Sequence, residues 1–336
     1  MLRHIRKLLL ILTITAAFST THAEDSITAR IIGGLEVSTG SLPFVVALLN
    51  TTGSTEYDQQ FCGGTLITNT WVMTAAHCVD DLSAPYSNLK IMAGSVDLST
   101  TAAGVHETLS VTDVHIHPLY NPSTYNNDIA LIELSSPVIT GSPVDYVSTA
   151  AFPYYTTGLY ALVAGWGSTS YPAPYNYPST MRDVSVPMVD DTICDSVYPN
   201  YTTKMVCAGY ADGGRDSCFG DSGGPLLSTD GTDFAVIGVV SFGEGCAVSG
   251  YYGVYTKVSQ FTAWIEGYTG ALATNPTFTP VNTAVFGPLY VPPTTPVTTG
   301  GGGGGGGCSA SKDGSPIGFI LMLSAAGIYF IRRRFQ

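Results

Sequence analysis

A chain of 336 residues is long enough for two ordinary domains, and its 25 acidic against 13 basic side chains leave a formal net charge of −12. That balance argues against nucleic acid and anionic membrane faces as partners, and fits either cationic substrates or simple solubility. Seven cysteines set a second bound: the first six, Cys62 to Cys246, are an even count that implies three disulfides in an oxidising compartment and leaves their pairing open.

In chain order, Arg3, Arg6 and Lys7 precede an apolar run from Leu8 to Phe18, and Thr21 to Ala23 offers a small residue for cleavage. Residues 1–23 are therefore expected to be a secretory signal peptide, the apolar run being shorter than the roughly 20 residues of a membrane span. The body, residues 31–270, carries the runs PFVVALL, GGTLI, WVMTAA, LYALVAGWG, FAVIGVVSFG and YYGVYTKV. Rich in Val, Ile, Tyr and Phe and separated by Gly, Pro, Asn and Ser, they predict β-strands joined by turns. Helical periodicity enters only at VSQFTAWIEGY, Val258 to Tyr268, so the expected class is all-β with a terminal helix. Residues 271–315 are rich in Pro, Thr and Gly and are expected to form a flexible linker. An apolar segment at 316–331 is at the lower limit of a span, and the basic tail, residues 332–336, carries Arg332 to Arg334, which would stay in the cytoplasm.

Three short motifs carry chemistry. TAAHC at Thr74 to Cys78, NNDIAL at Asn126 to Leu131 and GDSGGP at Gly220 to Pro225 place a histidine, an aspartate and a serine in that order. Acyl transfer by serine needs a base beside the hydroxyl and a carboxylate to orient that base. Asp113 competes with Asp128 for the orienting role, but the apolar strand after Asp128 would bury its carboxylate, while His106, His115 and His117 are expected to be ordinary surface or core residues. With IIGG directly after Arg30, the set resembles the chymotrypsin-like serine proteases, trypsin-like branch, over residues 31 to about 268.

The resemblance implies two six-stranded antiparallel Greek-key barrels with a C-terminal helix. It implies His77 as general base, Asp128 as orienting carboxylate and Ser222 as nucleophile, with the N–H groups of Gly220 and Ser222 as oxyanion hole. It pairs Cys62 with Cys78, Cys194 with Cys207, and Cys218 with Cys246. It also gives each of the two acids of DSCFGDSGGP a partner, which a buried carboxylate needs. Asp221 would pair with the α-amino group of Ile31 once Arg30 is cut, making residues 24–30 an activation propeptide and the chain a zymogen. Asp216 would sit at the base of the specificity pocket and await a substrate arginine or lysine. Gly243 and Gly253 would leave the pocket walls open, Ser217 would add a hydroxyl, and Ser241 would bond the orienting aspartate. Phe242 stands where the family has tryptophan.

No metal or cofactor is expected: Ser95 follows Gly94 where calcium-binding relatives have glutamate, and Tyr252 before Gly253 is only a weak sodium signal. The expected partners are protein or peptide substrates with Arg or Lys at the cleaved bond. Membrane contact is expected only through the C-terminal segment. There the glycine run, Cys308, the apolar segment and the arginines resemble a bacterial sorting signal, cut by a C-terminal processing protease, with a permanent anchor as alternative. The competing account of the whole chain is a noncatalytic binding protein on a protease scaffold.

Overall fold

The strand-forming runs lie where the spacing of their β-branched and aromatic residues places them. A computed structural model describes residues 31–99, 106–148, 153–271, 273–274 and 278–282. The signal peptide, residues 24–30, Cys308, the apolar segment and the basic tail lie outside the described residues.

In chain order the elements are β1 (Leu35–Glu36), β2 (Val45–Asn50), α1 (Glu56–Gln59), β3 (Gln60–Thr68), β4 (Trp71–Thr74), β5 (Leu89–Ala93), β6 (Glu107–Ile116), β7 (Ala130–Leu134), β8 (Asp145–Tyr146), β9 (Tyr160–Gly165), β10 (Arg182–Pro187), α2 (Asp191–Val197), β11 (Met205–Ala208), β12 (Pro225–Thr229), β13 (Phe234–Phe242), β14 (Gly253–Lys257) and α3 (Thr262–Thr269). The first half closes into an antiparallel barrel in the order β2-β3-β4-β7-β6-β5. The second half is one sheet in the order β1-β10-β9-β12-β13-β14-β11. Beyond β10, an antiparallel bridge of Met188 to Ala208 brings that strand's end to β11, so the six longer strands curl round on themselves. Two details depart from a plain pair of antiparallel barrels: β1 extends the sheet past β10, and β8 pairs parallel with β13.

The burial patterns explain the layout. β13 is buried from Ala235 to Ser241 and belongs in the middle of its sheet, as its unbroken apolar run implies. In β6, by contrast, buried Leu109 and Val111 alternate with the exposed Thr108, Ser110 and Thr112, one face to the barrel interior and one to water. Helix α3 starts later than its pattern implies, because Val258–Gln260 form a 3-10 turn first, and it stops at Gly270, which takes the left-handed conformation (φ 64°). The short α1 and α2 have no apolar periodicity and are defined by their caps: Thr55 accepts from Asp58 N–H and Asp190 from Thr192 N–H.

The chain beyond α3 keeps contact with the domain where a linker is expected. Val281 donates its N–H to Thr229 O (3.1 Å), and its carbonyl accepts from Tyr160 N–H (3.3 Å). It thereby sits between the ends of β12 and β9. Phe278 meets the Tyr154 ring at 5.8 Å, and Tyr146 Oη donates to Ala271 O. One aromatic side chain and two backbone bonds dock an otherwise Pro- and Thr-rich stretch.

Candidate active site

β4 delivers Thr74 to the edge of the first barrel, and a single 3-10 turn then carries His77 and Cys78. The Cys62–Cys78 disulfide ties that turn to β3. Its sulfurs are bonded to each other, so no thiolate remains beside His77 to hold a metal. Asp128, fully buried, grips the turn twice: Oδ1 accepts from His77 N–H at 2.9 Å, and Oδ2 lies 2.8 Å from Nδ1. A carboxylate only accepts, so Nδ1 carries the proton and Nε2 is left as the basic nitrogen. Two residues of the second sheet hold Asp128 in turn. Ser241 Oγ donates to Oδ2 at 2.5 Å and Thr256 Oγ1 donates to its backbone carbonyl at 2.7 Å. Asp113 lies elsewhere, half exposed beside His115, and His106, His115 and His117 bond or stack outside this cluster.

Ser222 is buried in the turn between Cys218 and β12. Its carbonyl accepts from Gly63 N–H (2.8 Å), and the next N–H, from Gly223, donates to Val240 O (2.9 Å). Gly223 (φ +80°) packs so closely that a Cβ there would lie 2.1 Å from Thr74 Oγ1. The serine loop is thus held between the strand that leads to His77 and the strand that leads to Ser241. Among the described residues, no hydrogen bond uses the N–H of Gly220 or of Ser222, although their neighbours are bonded: Asp221 N–H to Cys218 O, Ser168 N–H to Phe219 O.

Asp216 is buried behind this loop. Its Oδ2 accepts from Ala247 N–H at 3.1 Å, Ser217 Oγ lies 3.5 Å from Oδ1, and its own N–H donates to Ile32 O. Burial raises its carboxyl to about 7, the charge of Asp221 adding to the effect against the bonds from Ala247 and Ser217. Glycine at residue 253 lets the backbone pass close to this carboxylate: a Cβ there would be 2.9 Å from Asp216 Oδ1 and 2.8 Å from Tyr255 Oη. A Cβ on Gly243 would meet nothing closer than 3.7 Å. The Cys218–Cys246 disulfide braces the wall, and Cys194–Cys207 ties α2 to β11.

Asp221 is also completely buried, accepting from Gly167 N–H (2.8 Å) and Cys218 N–H (2.9 Å), and burial raises it to about 7 despite those bonds. Ile31, 0% exposed, lies in the apolar cluster of the second sheet, and the residue after it bonds the Asp216 loop. Arg30 lies outside the described residues.

Several site neighbours carried no signal in the sequence. Tyr125 sets its ring edge-on to His77 at 5.7 Å and meets Phe242 at 5.4 Å, and Phe242 meets Tyr198 at 5.6 Å, forming an aromatic wall. Tyr125 and Asn127 hold positive φ (55° and 57°) beside Asp128, strain of the kind stored at functional sites. Thr256 and Gln60, whose Nε2 donates to Gly220 O at 2.9 Å, reach the site from more than 120 residues away in sequence.

Comparison with known proteins agrees with this architecture. The family model for trypsin matches residues 31–265. Trypsin I-P1 of Gallus gallus is 36% identical over 256 residues, covering 75% of this chain and 93% of the relative. Trypsin-3 of Salmo salar is 38% identical over 240 residues (70% and 92%), and cationic trypsin-3 of Rattus norvegicus is likewise 38% identical over 240 residues (70% and 88%). With the match spanning both sheets and every residue of the cluster around His77, Asp128 and Ser222, the chain belongs to the trypsin family and is a serine endopeptidase.

Proposed function

We propose that the enzyme is a secreted zymogen that cuts peptide bonds after Arg or Lys through an acyl-enzyme. The observation that carries the specificity is the buried carboxylate of Asp216 beside Gly253, where any side chain would crowd it. Its carboxyl is raised to about 7 while met, among the described residues, by uncharged donors alone, and a guanidinium or ammonium brought to it would favour the ionised form and replace lost hydration. Ser217 adds a hydroxyl, and Gly243 leaves the opposite wall bare.

In the reaction, Ser222 Oγ attacks the carbonyl carbon and its proton passes to His77 Nε2. Asp128, held by Ser241 and Thr256, keeps the imidazole oriented and stabilises the imidazolium. The N–H groups of Gly220 and Ser222 donate to the oxyanion, the task for which unbonded donors at that place are suited. His77 then protonates the leaving amine, and water repeats the sequence to release the acid. Activation follows from Asp221: cleavage after Arg30 frees the Ile31 amine, a cation for a carboxylate otherwise met only by two N–H donors among the described residues. Three disulfides support an oxidising compartment, and the C-terminal sequence pattern supports display at the cell surface by anchor or by sorting.

The test uses chain processed to an Ile31 N-terminus, with arginyl and phenylalanyl ester substrates. Arginyl turnover is expected to fall by about two orders of magnitude or more in Asp216→Ser while phenylalanyl turnover survives. Equal loss on both substrates would remove the assigned specificity, and no turnover by processed wild-type chain, or unchanged turnover in Ser222→Ala, would remove the assigned chemistry.

A further inference from the structure

We infer that Gln60 is a positioning residue for the oxyanion hole, a latch from the first barrel that holds the Gly220–Asp221 peptide and so limits rotation of the adjoining 219–220 peptide, which carries the Gly220 N–H. The inference rests on the assignment of the Gly220 N–H as an oxyanion donor. Glycine at position 220 has φ +99°, a conformation from which its flanking peptides can turn over at little steric cost. A turned 219–220 peptide would aim a carbonyl oxygen, not an N–H, at the oxyanion. The loop must therefore be fixed by bonds to its other polar groups, and these can be counted. The Phe219 carbonyl accepts from Ser168 N–H at 2.7 Å, and the Asp221 N–H donates to Cys218 O at 2.9 Å. The remaining group, the Gly220 carbonyl, accepts from Gln60 Nε2 at 2.9 Å. Gln60 is 4% exposed and its second amide proton goes to Cys62 O (3.3 Å), so the side chain is fixed at both donors.

The latch has a second arm. Tyr57, three residues earlier on the α1 turn, donates its Oη to Tyr177 O at 2.8 Å. The Tyr177 ring lies 3.5 Å from where a Gly220 Cβ would be, and Gly167 closes the other side at 3.1 Å. The α1 turn and the first residue of β3 thus grip both the Gly220 carbonyl and the segment packed behind it, across a sequence separation of 160 residues for Gln60. Among the described residues Gln60 forms no hydrogen bond to Asp216 or Ser222, so its effect belongs to the step in which negative charge builds on the carbonyl oxygen.

The experiment compares processed wild-type chain with Gln60→Met, which keeps the length and removes the donors, Gln60→Glu, which sets an oxygen against the Gly220 oxygen, and Gln60→His, which restores a ring N–H. Three quantities are read: kcat and KM on an arginyl amide, affinity for an arginine aldehyde, and affinity for an aryl amidine. The aldehyde forms a hemiacetal: Ser222 Oγ bonds to its carbon, the π pair moves to oxygen, and the serine proton passes to His77. The amidine uses only the Asp216 pocket. Met and Glu are expected to lower kcat about tenfold or more, short of the hundredfold typical of losing an oxyanion donor outright. Aldehyde affinity is expected to fall by the same factor, with KM and amidine affinity unchanged, and His is expected to restore most of both. Wild-type kcat in Met or Glu overturns the latch, as does amidine affinity that falls in parallel, since that marks general loosening. If Met fails to fold, Glu alone decides between these outcomes. Inactive wild-type chain would instead remove the assigned chemistry on which the latch rests.

Discussion

Asp221 gives the proposed zymogen mechanism a thermodynamic signature. Its carboxyl is buried and raised to about 7, against about 3.9 in an unfolded chain. In chain that retains residues 24–30, the Ile31 nitrogen is an uncharged peptide nitrogen. A folded value above the unfolded one means that the folded state binds the proton more tightly. The stability it brings is therefore complete below about pH 4 and is lost as pH rises to about 7. Complete loss amounts to about 4 kcal/mol, a large share of a domain's typical ~5–15 kcal/mol. Opening of the Gly220–Gly224 loop to water caps the loss below that figure. In the proposed processed chain the Ile31 ammonium would meet the carboxylate, lower its value and remove this loss. Asp216, also raised to about 7 by burial and in part by the charge of Asp221, adds a slope to both species, so their difference reads what processing does to this pair of acids. Guanidinium unfolding between pH 4 and pH 8, in a Ser222→Ala background that prevents self-cleavage, compares Arg30→Gln precursor with chain processed to Ile31. The stability gap is expected to widen by up to about 4 kcal/mol between pH 4 and pH 7. A precursor whose pH profile runs parallel to that of processed chain refutes the ion pair.

The pocket walls and the placement of the cations give two more expectations. Gly253→Ala places a methyl 2.9 Å from Asp216 Oδ1 and is expected to cost arginyl kcat/KM far more than Gly243→Ala, whose methyl meets nothing within 3.7 Å; equal effects in steady-state assays would contradict the pocket geometry. Self-cleavage is expected only outside residues 31–282. Lys90 and Arg182 lie within strands, Arg182 paired to Glu36, while Lys204, Arg215 and Lys257 lie over the rings of Phe261, Tyr210 and Tyr155. A protease must draw its substrate into an extended strand, which these segments deny it. Prolonged incubation followed by intact-mass measurement is expected to find cuts after Arg30, Lys312 or Arg332 to Arg334, and a stable internal cut after any of the five would contradict this.

Much of the fold was legible because strand patterning is local. FAVIGVVSF reads as a buried strand in any context, and β13 runs from its first residue to its last. The family was legible because HC, DIAL and GDSGGP stand in one order. What was not legible depends on pairs far apart in sequence. Thr256 is an unremarkable strand threonine until its hydroxyl meets the Asp128 carbonyl 128 residues away. Tyr125 reads as loop until its ring stands against His77. The docking of Val281 between β9 and β12 was hidden by composition, since Pro and Thr dominate its neighbourhood and only the free edge groups at Tyr160 and Thr229 select it.

The distribution of these long-range contacts bears on how the site tolerates change. His77 and Asp128 come from the first barrel, and Ser222, Asp216 and Ser241 from the second sheet. The pieces are brought into register by a few directional bonds across the seam: Ser241 and Thr256 to Asp128, Gly63 to Ser222, Gln60 to Gly220, and Trp166 Nε1–H to Val96 O at 2.9 Å. Each neutral bond among these contributes only about 0.5–1.5 kcal/mol to stability, and the bond to the Asp128 carboxylate about 1.5–3 kcal/mol. A displacement of about 1 Å between base and nucleophile costs on the order of a hundredfold in rate. Polar residues at the seam therefore act on turnover far more than on unfolding. Leucines and valines sealed inside either sheet act the other way, since a cavity of one side chain removes several kcal/mol while leaving the seam bonds in place. Rate and stability are governed here by different residues, and the seam is where substitutions change one without the other.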